Sequence, residues 1–154
     1  MKIRNGVQSV TNEEIDKEPA GQQLDSWVAE KVMGWRVVDS DMEDTAKAIY
    51  KTFAVKDDDG LGVRRPLNNA VNGWGYDDFN PSTNITDAWE VVETLISWKK
   101  YIHIVYTEGK YYIGGATCEL VPHGDWDWEN DSGMADAPTA PLAISRAALK
   151  AVMK

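Results

Sequence analysis

The stretch Pro81-Ser82-Thr83-Asn84-Ile85-Thr86-Asp87-Ala88-Trp89-Glu90-Val91-Val92-Glu93-Thr94-Leu95 carries both the clearest helix start and the clearest period in the chain. Ser82, Thr83 and Asn84 have side chains that accept hydrogen bonds from the first free amides of a helix. Asp87, three residues after Asn84, adds a capping-box-like carboxylate that also suits the positive helix end. Ala88, Trp89, Val92, Leu95 and Ile96 then fall on one face at helical period, with Glu90, Glu93 and Thr94 mostly outside it. The stretch is therefore predicted to be an amphipathic helix whose apolar face needs a partner layer.

Downstream, Tyr101–Tyr106 and Lys110–Ala116 are rich in β-branched and aromatic residues and are joined by Thr107-Glu108-Gly109, which predicts a β-hairpin. Residues 123–136 read as an acidic loop. Thr139 as N-cap and Pro141 in the first turn then start a helix running to about Met153, apolar nearly all round, with Arg146 inside its apolar stripe. Upstream, Leu24, Trp27, Val28, Lys31, Val32 and Trp35 share a helical face over Gln22–Met33, and Gly34 follows as a C-terminal cap. Ser40 with Glu43 predicts a second helix carrying Met42, Ala46, Ile49, Tyr50 and Phe53. Residues 60–81, with Arg64-Arg65-Pro66 and Asn72-Gly73-Trp74-Gly75-Tyr76, lack a period and read as a loop. Residues 1–20 are mostly polar and read as a loose arm or short edge segment before a single domain over 21–154.

Composition narrows the function. At 154 residues, 43% of them hydrophobic, the chain can bury one core. A formal net charge of -9 opposes broad nucleic-acid binding, because a phosphate backbone would meet a repulsive surface. A small anion in one local pocket remains compatible with that charge. The single cysteine, Cys118, permits no internal disulfide and fits a small buried hydrophobe in a strand-like run. Polar residues follow Met1 and no apolar run approaches ~20 residues, so no membrane association is expected and the expected place is the cytosol.

Catalysis has little support. His103 and His123 stand in no triad context, and no phosphate loop, zinc spacing or dinucleotide fingerprint is present. Asp125, Asp127, Glu129 and Asp131 imitate a calcium loop, but Asn130 stands where that loop needs glycine and Asp136 where it needs glutamate. No cofactor or metal is expected. What remains is a pocket inventory: Ser82, Thr83 and Thr139 at two helix starts, Arg146 and the Arg64-Arg65 pair for charge, and Trp35, Trp74 and Tyr76 for planar faces. Those are components for holding a nucleotide-like anion.

Three segments make the chain resemble the phage ABA sandwich family: Leu24-Asp25-Ser26-Trp27-Val28-Ala29-Glu30-Lys31-Val32-Met33-Gly34-Trp35; Ser82-Thr83-Asn84-Ile85 leading into Ala88-Trp89-Glu90-Val91-Val92-Glu93; and Thr139-Ala140-Pro141-Leu142-Ala143-Ile144-Ser145-Arg146-Ala147-Ala148-Leu149. The family pattern often carries Asp where Asn84 stands and Cys where Ser145 stands, and the stretch from Ser40 to Arg65 reads as an insertion. The resemblance implies an α+β fold, a layered α/β/α sandwich with an antiparallel sheet and helices on its faces. By analogy of context with other small phage proteins, it implies a non-enzymatic protein in the cytoplasm of the infected bacterial host. The expected activity is that of an oligomeric sponge that withholds a nucleotide-derived immune signal. The alternatives are a protein-interaction module that inhibits a host factor and a hydrolase of the same signal.

Overall fold

Asn84 starts the central helix in the way its side chain predicts: its Oδ1 accepts from the amides of Thr86 (2.9 Å) and Asp87 (3.2 Å). The Asp87 carboxylate reaches further back than a capping box requires and accepts from the Asn80 amide at 2.8 Å. The structure, a computed structural model, describes residues 10–50, 52–58, 60, 62–67, 75–97, 100–108, 110–117 and 135–152. Its helices are α1 (Asn12–Lys17), α2 (Gln22–Lys31), α3 (Glu43–Ile49), α4 (Ile85–Ser97) and α5 (Ala140–Val152). Its strands are β1 (Arg36–Asp39), β2 (Phe53–Lys56), β3 (Val63–Leu67), β4 (Gly75–Asp78), β5 (Lys100–Thr107), β6 (Lys110–Thr117) and β7 (Ala135–Ala137).

The strands form two sheets, in the orders β1-β2-β3-β4 and β5-β6-β7. The antiparallel sheet expected from the family is thus divided, and β1 and β2 run parallel, because α3 joins them as a crossover. Every other pairing is antiparallel. Alternation along the first sheet assigns its faces. Val38, Phe53 and Val55 pack with Ala46 of α3 on one side, whereas Val37 joins the main core with α2 on the other. The first sheet is therefore covered by helices on both faces, and α5 seats the second sheet through β6 and β7. The result is an α+β sandwich.

The main core joins Ile15, Leu24, Val28, Phe79, Val91, Val92, Ile144 and Leu149, all nearly inaccessible to water. Gly34, at φ +74, turns the chain out of α2 while the Trp35 amide reaches back to the Ala29 carbonyl at 2.9 Å.

Three expectations need correction. Residues 10–18 are no loose arm: Thr11 and Glu14 close a capping box on α1, and Ile15 and Val10 are buried in the main core. The helix read over residues 40–53 stops at Ile49, leaving Met42 and Ile49 exposed, and Phe53 belongs to β2. The segment read as one loop over residues 60–81 contains β3 and β4.

Arg146 is directed at backbone carbonyls. Its Nη2 donates to the carbonyl of Glu18 (2.9 Å), the cap residue at the end of α1, and Nη1 lies 3.5 Å from the Asp136 carbonyl. A cation at the negative end of a helix is favourably placed, and Lys150 adds an ion pair to Asp16 at 2.6 Å. Arg146→Ala is expected to cost about 2 kcal/mol, the scale of a charged hydrogen bond, in urea denaturation. It should also expose residues 10–18 to proteolysis before the rest of the chain. Ser145, by contrast, buries a hydroxyl with no hydrogen-bond partner among the described residues. Ser145→Ala is expected to leave stability unchanged or raise it by up to about 1 kcal/mol in the same assay.

Candidate functional site

Alternation along β3 decides where the two adjacent arginines go. Val55 pairs with Arg64, and Arg64 with Asp78, so Arg64 lies on the α3 face of the first sheet, with Tyr76 two residues before Asp78 on the same side. There the Arg64 guanidinium sits 4.6 Å from the Tyr76 ring centre and is paired with Asp57 (2.6 Å) and Glu43 (3.9 Å). Arg65 points to the opposite face. Its guanidinium lies 5.5 Å from the Trp35 ring and 5.7 Å from Phe79, and it pairs with Glu90 of α4 (2.5 Å) and Asp77 (3.8 Å). Trp35 and Phe79 are themselves in tilted ring contact, with centres 4.7 Å apart and planes at 60°.

Around Arg65 an open groove of about 670 Å³ runs along the first turns of α4, lined by Arg65, Ile85, Thr86, Trp89, Glu90 and Glu93. Ile85 and Trp89 are 54% and 49% exposed, so half of each large apolar side chain faces water. The hydrogen bond that Arg65 donates to Glu90 holds the guanidinium more firmly protonated than usual, with Asp77 and Asp87 adding to the effect. Arg65 therefore stands among the carboxylates of Glu90, Asp77 and Asp87, with Glu93 lining the same groove. The Arg65 Nε is buried and makes no hydrogen bond among the described residues. The groove is apolar along the helix and negative at its rim.

The sequence-predicted site residues do not converge. Trp35 meets Arg65, but the sheet separates both from Tyr76. Ser82 turns inward and is 1% exposed: its hydroxyl accepts from the Gly21 amide (2.9 Å), and its own amide donates to Asp25 (2.7 Å). Thr83 is exposed, with its hydroxyl directed at the Asn80 carbonyl (3.4 Å). The α4 amides expected to be free for an anion are taken by Asn84. Thr139 is exposed before α5 and supplies a carbonyl to the Ala143 amide, while Arg146 is the α1 clamp already described. Trp74, Cys118, His123 and the acidic run 125–131 lie outside the described residues. Ile85, Thr86, Glu90 and Glu93 were missing from the inventory, and Trp89 had been assigned to the buried face.

A second polar centre lies where α2 meets Ser82, ahead of α4. Asp25 of α2 is 1% exposed, and burial lifts its pKa to about 6, with the hydrogen bonds from Ser82 opposing and the charge of Asp87 assisting the rise. Asp87 is itself raised, mainly by burial. Among the described residues no group of three or more His, Cys, Asp or Glu is placed to hold a metal ion, and no helix is long and apolar enough to cross a membrane.

The family model for the phage ABA sandwich domain matches residues 26–149. The chain belongs to this family. The match runs from α2 through most of α5, and so includes the two-faced first sheet, Arg65 and the exposed side of α4. No curated protein and no solved structure matches the chain. The phage ABA sandwich of this chain thus has its groove defined by geometry alone.

Because Asp25 binds its proton more tightly when folded than when unfolded, its contribution to stability is complete below about pH 4 and is lost as pH climbs through about 6. Asp25→Asn keeps an oxygen for the Ser82 amide without the buried charge. The variant is expected to unfold at higher urea than the wild type at pH 7.5, with the difference vanishing near pH 4, as read from urea midpoints across that range.

Proposed function

We propose that this phage protein is a non-catalytic binding module that inhibits a host factor by docking through the outer side of α4. The observation that carries the reading is the half-exposed apolar row of Ile85, Trp89 and Ile96 on a helix whose other apolar side chains are buried. Large apolar groups gathered in one exposed place favour association, and tryptophan is the side chain most often found to dominate binding energy.

A second reading is favoured by one feature of the same groove. Trp89 offers a half-exposed ring beside the Arg65 guanidinium and the acceptor oxygens of Glu90 and Glu93, an arrangement suited to a nucleobase. In that reading the protein is a sponge for a nucleotide-derived immune signal, held by its base. The carboxylate rim opposes the phosphates of such a ligand, which places docking first.

One experiment separates the readings. Purified wild type and Trp89→Ala are each incubated with lysate of the bacterial host containing nucleotide immune signals, re-isolated, and analysed for retained protein and for small molecules released on heating. Docking predicts a host protein retained by wild type and lost from the variant, with the signals unchanged in solution. Release of one intact signal near one per chain, without a retained protein, would replace the first reading by the second; a consumed signal would replace both by hydrolysis.

A further inference from the structure

The apolar arc of α4 is wider than the core that covers it. Counting about 100° per residue from Ile85, the buried Val91, Leu95, Ala88 and Val92 span roughly 240° to 340°, and Ile85, Ile96 and Trp89 continue the arc to about 40°. Neighbouring elements thus take about 100° of an arc roughly 160° wide. The remainder is a straight row over three turns, about 16 Å from Ile85 to Ile96 at 1.5 Å per residue. Glu93 follows at the edge of that row, and Glu90 and Asp77 stand beyond it around Arg65.

We propose that the occupant of this row is a basic amphipathic helix of the partner: apolar side chains on one face meet Ile85, Trp89 and Ile96, and Lys or Arg beside them faces Glu93, Glu90 and Asp77. The proposal rests on the docking reading and adds the partner's chemistry. Two features on the protein select this occupant. A straight row of side chains along a helix accepts a second helix by the same side-chain interlocking that packs α4 on α5. Glu90 and Glu93 line the groove and Asp77 stands beside Arg65, and the whole chain carries a formal net charge of -9, so a cationic flank is attracted and an acidic one repelled. A second copy of this chain would bring the same carboxylates against each other across a two-fold contact.

The test is a selection from a displayed library of helical 18-residue peptides with random charge and random apolar placement. The immobilised full chain is the bait, with Trp89→Ala and Ile96→Glu as parallel baits. The substituted residues are half exposed, so the fold is retained, as the variants' urea midpoints would verify. The expected result is enrichment, on wild type alone, of peptides with apolar residues at i, i+3 or i+4 and i+7 flanked by Lys and Arg. Affinities of enriched peptides should fall roughly tenfold or more with Trp89→Ala, and by a smaller factor with Glu93→Gln, whose binding should also depend less on salt. Peptides that depend on Trp89 and Ile96 but carry neutral or acidic flanks would overturn the basic partner and leave the docking face standing. Enrichment shared equally by all baits, or no enrichment, would overturn the docking face as well.

Discussion

Everything about the candidate site follows from one geometric constraint: successive side chains of a strand leave on opposite faces. β3 carries two adjacent arginines, and the sheet is covered on both sides, so each cation must be neutralised in a different layer. Arg64 is held by Asp57 and Glu43 against Tyr76, and Arg65 by Glu90 and Asp77 against Trp35 and Phe79. The second set ties β3 to α4 through Glu90, and Arg65 lines the groove there. A charge-rich strand is thus a device that locks two layers, and the locking uses up the positive charge that a phosphate would need.

This is also why the site was only partly legible in the sequence. Helices α2, α4 and α5 and the β5–β6 hairpin announce themselves through periods and caps that are local properties, and they stand where those signals put them. The strand Val63-Arg64-Arg65-Pro66-Leu67 has no apolar alternation of its own. It is a strand because β2 and β4 pair with it, Lys56 opposite Val63 and Asp77 opposite Arg65, and that pairing leaves no mark in the strand's own residue pattern. Without the strand, Arg64 and Arg65 read as one pair of charges and Trp35, Trp74 and Tyr76 as planar faces of one pocket. Phe53 was misplaced for a related reason: it continues the helical spacing of Ala46 and Ile49, and only the parallel pairing with Arg36 shows that the helix has already ended.

Trp89 and Ile96 illustrate the opposite error. Their spacing was read correctly as apolar and helical, but periodicity reports what a helix could bury and says nothing of how much its neighbours cover. The excess became visible only when Val91 proved to belong to the buried face and the row from Ile85 to Ile96 proved to lie beside it. Likewise, Ser82 has the chemistry of an anion contact, yet in the fold it satisfies Gly21 and Asp25, because a buried carboxylate leaves no donor nearby uncommitted.

The clamp between the first and last described helices has a consequence for biosynthesis. Ile15 enters a core whose other wall includes Ile144 and Leu149, and the Glu18 carbonyl waits for a guanidinium 128 residues later. While the chain emerges from the ribosome, α1 has no seat and the apolar side of α2 has only part of its cover. The domain therefore closes after α5 has left the exit tunnel, in one late step, and until then the nascent chain exposes the surface a trigger-type chaperone would hold.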